Sequence, residues 1–170
     1  MNIEMKPAKV WYLELLHPVV EKPDEQIFKA LLQQNIAPDN YLKIYREIGG
    51  PWNWANRLLM DRKTLETTLN DTANEIYYCY FNKDVAGYFE LDCHDSENIE
   101  LVYFGLSPRF IGKGLGRLMM QNVIYQASRH NTKRLWLHTC EFDAPQALDF
   151  YLKSGFSIYK ESVEDQPIIT

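Results

Sequence analysis

Paired cysteines and long apolar runs are both missing from this sequence. Its three cysteines, Cys79, Cys93 and Cys140, are an odd number and form no CxxC pair. That pattern argues against a disulfide framework and against a zinc site, so we expect reduced thiols and no bound metal. Nowhere do 18 apolar residues follow one another, and residues 1–7 lack the features of a signal peptide. The expectation is a cytoplasmic protein with no membrane partner.

An excess of positive charge is also absent. The chain has 18 Lys and Arg against 23 Asp and Glu, a net charge of −5. No global positive field is available to hold nucleic acid, which we therefore do not expect as a partner, and any anionic ligand must be held by a local feature. An apolar content of 46% over 170 residues excludes general disorder. One domain spanning residues 1–170 is the expected organisation.

Helical and strand patterns alternate along the chain, which predicts a mixed α/β (α+β) fold. Runs of aromatic and branched residues predict strands over residues 9–16, 75–81, 85–91, 99–106, 134–139 and 156–159. Apolar residues at helical spacing predict helices over residues 24–34, 40–48, 61–70 and 145–153, and one more directly after Gly116. In residues 99–106, the pattern places Ile99, Leu101 and Tyr103 on one face of a central strand.

Glycine is scarce, yet four of the eight glycines lie between residues 105 and 116, at a predicted strand-to-helix junction. Glycines let backbone N–H groups converge, and a helix N-terminus attracts anions, so the junction favours a phosphate. A P-loop needs Ser or Thr after its Gly-Lys pair, but Gly114 follows Lys113. A Rossmann site needs a third glycine where Arg117 stands. A flexible turn without a ligand is the other open interpretation.

Residues 106–116 resemble the acyl-CoA loop of the GNAT (GCN5-related N-acetyltransferase) superfamily, whose pattern is Gln/Arg-x-x-Gly-x-Gly/Ala. Gly114 and Gly116 fill its small positions, while Ile111 replaces the Gln or Arg. Residues 147–156 are similar to the family's second motif, Ala-x-x-Phe/Leu-Tyr-x-x-x-Gly-Phe, with Ala144 where the family usually has Asn. The resemblance covers roughly residues 75–160, which would form the acyl-CoA-binding core.

The resemblance implies a mostly antiparallel mixed sheet flanked by helices, with its fourth and fifth strands splayed at the acyl-CoA site. It also implies transfer of acetyl from acetyl-CoA to a primary amine, of a small molecule or a protein, by direct attack. A longer acyl-CoA and a non-catalytic CoA-binding regulatory domain are the alternatives. The cofactor-binding residues that it implies are Phe104, Gly105, Leu106, Gly112, Lys113, Gly114, Leu115, Gly116 and Arg117.

Two catalytic residues follow from the same resemblance. Glu100 lies six residues before Leu106, a spacing similar to that of the catalytic Glu in the histone-acetylating branch. Burial would raise its pKa and suit it to act as a base, whereas at a frayed strand end it would be solvated and idle. Tyr151 occupies the family's Tyr position, where a phenol protonates the leaving thiolate; a core tyrosine is the alternative.

The acceptor side is marked by aromatic residues. Trp52 and Trp54 lie in the region where the superfamily builds its substrate wall, and either an amine pocket or core packing accounts for them. His138 ends the fifth predicted strand and is a second base candidate as well as a substrate contact. Cys140 has no paired base in the sequence to make it an acyl-carrying nucleophile. The acceptor and the oligomeric state, monomer or homodimer, stay open.

Overall fold

The computed structural model describes residues 1–170 and contains seven strands and five α-helices. The strands are β1 (Ile3–Leu16), β2 (Phe28–Leu32), β3 (Asn74–Phe81), β4 (Asp84–Asp92), β5 (Asn98–Leu106), β6 (Arg134–Cys140) and β7 (Ser157–Ile169). The helices are α1 (Pro38–Gly49), α2 (Asn56–Leu59), α3 (Arg62–Asn70), α4 (Leu115–Ser128) and α5 (Ala147–Lys153). Short 3₁₀ turns at Gly50–Trp52 and Pro108–Phe110 precede α2 and α4. None of these helices combines the length and the apolar character that crossing a membrane requires.

All seven strands belong to one sheet, in the order β2-β3-β4-β5-β6-β1-β7. Every neighbouring pair is antiparallel except β5 and β6, which are parallel. A single domain with helices on both faces of a mixed, mostly antiparallel sheet is therefore confirmed. The predicted fourth and fifth strands are β5 and β6 here, because β2 adds one strand before them.

The parallel pair β5–β6 separates soon after it begins. The two strands are in register only from Asn98 opposite Arg134 to Glu100 opposite Trp136. Beyond Glu100, the edge of β5 that faces β6 has no strand partner, while its other edge stays paired with β4. The predicted splay is thus present, and it leaves backbone N–H and C=O groups of β5 facing a gap.

A β-bulge in β5 changes which side chains share a face. Glu90 of β4 lies opposite Tyr103, but Leu91 lies opposite Leu101, so Val102 is an extra residue without a partner. Leu101 therefore packs in the core under α4, whereas Tyr103 packs in the core under α1. The prediction that Leu101 and Tyr103 lie on one face was wrong, because strict alternation does not continue through a bulge.

Two hydrophobic cores hold the helices against the sheet. On one face, the buried stripe Leu115, Met119, Val123 and Ala127 of α4 packs on the sheet, as the helical spacing predicts. The other face is covered by α1 and α3, whose residues form a second core rich in tyrosine. Its buried residues are Tyr41, Tyr45, Ile48, Leu65, Leu69, Ile76 and Tyr88. The two cores fix β5 and the start of α4, which carry the candidate site.

Three predicted elements need correction. Residues 24–34 were expected to be a helix, but Phe28–Leu32 is the edge strand β2, which pairs with β3. Phe28 and Ala30 are buried while Lys29 and Leu31 are exposed, a period of two imposed by pairing that overrides local helix preference. The first and last strands are longer than predicted because they pair with each other, from Ile3 opposite Ile169 to Glu14 opposite Ser157.

Candidate active site

A cavity of about 450 Å³ occupies the gap between the splayed strands. Its walls are the ends of β5, β6 and β7, the start of α4, the helix α5 and the segment around Trp54. This volume is typical of small-molecule and cofactor sites. Eleven of the fourteen residues predicted for the site line this cavity: Trp52, Trp54, Phe104, Gly105, Leu106, Gly112, Gly114, Gly116, Arg117, His138 and Tyr151.

The start of α4 offers backbone donors with no partner in the chain. None of the N–H groups of residues 112–117 donates to a backbone or side-chain acceptor, and Gly114, the N-cap residue, provides no side-chain cap. Gly112 and Gly114 have φ of +82° and +76°, and a Cβ on either would meet open space. Together with the positive end of the helix dipole, these free donors suit a phosphate or pyrophosphate.

The free edge of β5 continues this surface. Phe104, Gly105 and Leu106 line the cavity, and they lie beyond the last residue that pairs with β6. A Cβ on Gly105 would lie 2.5 Å from Cγ2 of Ile48 and 3.0 Å from the Trp54 ring, so glycine allows these side chains to close over the strand. An extended ligand arm can hydrogen-bond to this edge as an added strand.

Two of the predicted cofactor residues do not bring their side chains to the cavity. Lys113 is exposed and does not line it, and Leu115 is only 3% exposed within the core under α4. Both still belong to the row of unpaired backbone N–H groups at the helix start. Ile111 and Ala144, the two departures from the family motifs, both line the cavity.

Glu100 lies at the point where β5 and β6 separate. Its side chain is 21% exposed, and burial, followed by the charge of Asp92, raises its pKa from 4.5 to about 7. Arg57 opposes this shift. The carboxylate does not line the cavity, but its Oε1 is 3.8 Å from Nε2 of His138, which does. The structure thus brings both base candidates together at one wall of the cavity.

Tyr151 faces the cavity from α5 among other aromatic rings. The centroid of Phe104 lies 6.0 Å from that of Tyr151, and Phe156 lies at 6.2 Å. Burial, and then the charge of Asp143, raises the pKa of the Tyr151 phenol above its ordinary value, so the phenol carries its proton at neutral pH. A protonated phenol beside the cavity is able to donate a proton or a hydrogen bond.

Cys140 also lines the cavity, at the end of β6. Burial, and then the charge of Asp143, raises the pKa of its thiol. The same Asp143 carboxylate accepts a 3.0 Å hydrogen bond from the Cys140 backbone N–H. A thiol with a raised pKa is a poor nucleophile, which weakens the idea of an acyl-cysteine intermediate.

The two tryptophans have different surroundings. Both line the cavity. Trp54 also packs against the tyrosine-rich core, with its ring centroid 5.0 Å from that of Tyr103 and 5.7 Å from that of Tyr45. Trp54 therefore combines core packing with a place in the cavity wall. Trp52 is half-buried, at the end of the 3₁₀ turn.

Sequence reasoning missed the buried ion pair between Arg57 and Glu90. Glu90 is 0% exposed, and its Oε2 accepts a 2.9 Å hydrogen bond from the Arg57 guanidinium. Tyr41 donates a hydrogen bond to the other carboxylate oxygen, and Arg57 lies 5.3 Å from the centre of the Tyr103 ring. A lone acid within the apolar run of residues 85–91 was the available signal, since a buried carboxylate needs a partner. The partner itself cannot be located from local sequence.

Comparison with known proteins agrees with this geometry. The family model described as "Acetyltransferase (GNAT) family" matches residues 41–156. A GNAT family acetyltransferase from Elizabethkingia anophelis, solved with acetyl-CoA bound, superposes with a TM-score of 0.61 at 20% identity, covering 80% of each chain. A Bacillus subtilis acetyltransferase in complex with CoA gives a TM-score of 0.60 at 16% identity, covering 78% of each chain.

A third similar structure has no known function. This conserved protein from Staphylococcus epidermidis gives a TM-score of 0.69 at 18% identity over 95% of the present chain. The present chain spans only 62% of that protein's length. At these identities, the three likenesses show a shared fold.

Proposed function

Because the chain belongs to the acetyltransferase (GNAT) family, we propose that it transfers the acetyl group of acetyl-CoA to a primary amine by direct attack. The observation that carries this proposal is the row of free N–H donors at residues 112–117, which continues into the free edge of β5. One end of this surface suits pyrophosphate, and the other suits the amides of the pantetheine arm.

Acetyl-CoA is held by residues of three kinds in this proposal. The N–H groups of residues 112–117 bind the pyrophosphate, and Arg117 adds formal positive charge beside them. Phe104, Gly105 and Leu106 offer backbone groups to the pantetheine arm. The thioester then lies between the two splayed strands, within reach of Tyr151 and of the wall that carries His138.

Glu100 and Tyr151 divide the proton transfers between them. A cationic amine first gives one proton to solvent, because only the neutral nitrogen can attack the thioester. As that nitrogen bonds to the thioester carbon, it loses a second proton, which Glu100 accepts by way of His138 or a bridging water. The C–S bond breaks, and the departing thiolate takes the Tyr151 proton, which solvent later restores. A base with a pKa of about 7 is half ionised at neutral pH, so Glu100 is suited to this role. Proton transfer of this kind contributes about 10²- to 10⁴-fold to the rate.

The acceptor enters past the aromatic side of the cavity. Trp52 and Trp54 supply ring faces there, which attract a cationic amine before it loses its proton. The net charge of −5 favours the approach of such a cation. An amine on a small molecule and an amine on a protein are both compatible with an open cavity of this kind.

Release of the free CoA thiol from acetyl-CoA tests the proposal. Wild-type protein is incubated with acetyl-CoA and a panel of primary amines, including lysine-containing peptides, and the thiol is followed by a chromogenic reagent. We expect release that depends on one class of amine, and binding of CoA that raises the melting temperature. Thermal stabilisation by CoA without thiol release for any amine would instead identify a CoA-binding regulatory domain.

A further inference from the structure

Three metal-ligating side chains meet at the end of the molecule away from the cavity. Glu75, Cys93 and His130 each offer one ligand atom, and these atoms all lie within 4.8 Å of one another. Nε2 of His130 is 2.7 Å from Oε2 of Glu75, and their side chains are 32% and 13% exposed. We call this group the Glu75–Cys93–His130 cluster.

Regular structure holds all three residues in place. Glu75 lies in β3 directly opposite Leu91 of β4. Cys93 follows the end of β4, and its backbone N–H donates a 2.8 Å hydrogen bond to the carbonyl of Ala73. The N–H of His130 bonds to the carbonyl of Ala127 at 3.1 Å, which ties it to the last turn of α4. The backbone therefore presents the three ligands without a long mobile loop.

We propose that the Glu75–Cys93–His130 cluster binds a divalent transition metal ion of the zinc class. One thiolate sulfur, one imidazole nitrogen and one carboxylate oxygen form a donor set that zinc prefers, while Mg²⁺ and Ca²⁺ prefer oxygen alone. Three protein ligands leave the fourth tetrahedral position for water. The proposal differs from the expectation drawn from cysteine spacing, since only one ligand is a cysteine and the three come from separate segments.

The separations of the ligand atoms are close to those of a tetrahedral metal site. Metal–ligand bonds of about 2.0–2.3 Å place tetrahedral ligand atoms roughly 3.3–3.8 Å apart. The present separations bracket that range, from 2.7 Å between His130 and Glu75 to an upper limit of 4.8 Å within the cluster. The Tyr77 hydroxyl donates a 2.6 Å hydrogen bond to Oε1 of Glu75, while Oε2 contacts Nε2 of His130.

The cluster is independent of the proposed acetyl transfer. The cavity lies at the first turn of α4 and His130 follows its last turn, so the 14-residue helix separates them. At 1.5 Å per residue this is a separation of about 20 Å. Metal binding at the cluster can therefore be measured whether or not the chain transfers acetyl groups.

Titration of chelator-treated protein with Co²⁺, followed by competition with Zn²⁺, tests the proposal. We expect one equivalent of Co²⁺ to produce a thiolate-to-cobalt charge-transfer band, which Zn²⁺ removes. Cys93→Ser should abolish this band, and Cys93→Ser and His130→Gln should each weaken Zn²⁺ binding about 100-fold or more. Zn²⁺ at one hundred times its Kd should raise the melting temperature of the wild type by about 5–10 °C.

Matched controls separate the cluster from other thiols and imidazoles. Cys140→Ser removes another half-buried thiol. His94→Gln removes the imidazole of the residue after Cys93, and this imidazole contacts the carboxylates of Asp71 and Asp92. Both controls should bind Co²⁺ and Zn²⁺ as the wild type does. The proposal is overturned if the wild type gives no charge-transfer band, or if Zn²⁺ affinity is unchanged in Cys93→Ser and His130→Gln with native circular dichroism. Equal losses in the controls would also overturn it.

Discussion

Replacing Glu100 with Gln should make the folded protein more stable, increasingly so as the pH rises. Burial and Asp92 raise the pKa of Glu100 from 4.5 to about 7 in the folded chain. Because the pKa of Glu100 is higher in the folded chain than in the unfolded chain, its contribution to the free energy of unfolding is fully present below pH 4.5. That contribution is lost as the pH rises through 7. In Glu100→Gln the side chain stays neutral, so the free energy of unfolding does not fall in this way as the pH rises.

The size of the effect follows from the shift. A difference between 4.5 and about 7 corresponds to about 3 kcal/mol when the carboxylate is fully ionised. Between pH 5 and pH 8.5, the advantage of Glu100→Gln in the free energy of unfolding should grow by about 2–3 kcal/mol. Urea denaturation followed by far-ultraviolet circular dichroism at both pH values measures this, provided that the m-values agree.

A surface carboxylate in the turn just before β5 provides the control. Glu97 is 61% exposed and pairs with Lys133 at 2.8 Å, so Glu97→Gln should change the unfolding free energy by at most about 1 kcal/mol at either pH. If Glu100→Gln and wild type show a constant difference across this pH range, Glu100 is solvated. The proposed base would then lack the environment that suits it to the reaction.

Three further substitutions probe the loop, the phenol and the buried ion pair. Gly114→Ala should raise the Kd of acetyl-CoA about tenfold in calorimetry, because alanine disfavours the φ of +76° at this position. Gly50→Ala is the control and should leave the Kd unchanged, because φ is −54° there and a Cβ would meet open space. Equal affinities in the two variants would contradict the role of the loop. Tyr151→Phe should lower kcat about 100-fold with little change in acetyl-CoA affinity, and an unchanged kcat removes it from the mechanism. Arg57→Met should cost about 3–5 kcal/mol in urea denaturation by leaving Glu90 unpaired; a loss below about 1 kcal/mol would show that the pair is not needed.

Local signals explain the parts of the site that the sequence predicted. The glycines of residues 112–116 lie within one short stretch of sequence, and so does the segment around Tyr151, so each could be predicted from its resemblance to a family motif. Glu100 was predicted from the family resemblance, by its spacing from Leu106 along one strand. The spacing counts residues along the chain, so the bulge at Val102 does not change it, although the bulge reverses the face of Tyr103. Features of this kind can be predicted from sequence because they depend on residues that are close together in the chain.

Long-range pairing explains what the sequence did not predict. Strand β1 lies between β6 and β7, and no local pattern indicates that residues 3–8 continue the strand to meet the end of the chain. Strand β2 has a helical spacing that pairing with β3 overrides. Arg57 and Glu90 lie in separate segments that meet only after α2 packs under the sheet, so their contact has no signature within either segment.

The pH dependence of acetyl transfer in wild type and Glu100→Gln tests the central claim most directly. For wild type, kcat/KM for thiol release should rise about tenfold between pH 6 and pH 8, with a midpoint near the Glu100 pKa of about 7. In Glu100→Gln, this acidic limb should be absent and the rate at pH 8 about 100-fold lower. An acidic limb with the same midpoint and height in both proteins would contradict the assignment of Glu100 as the base.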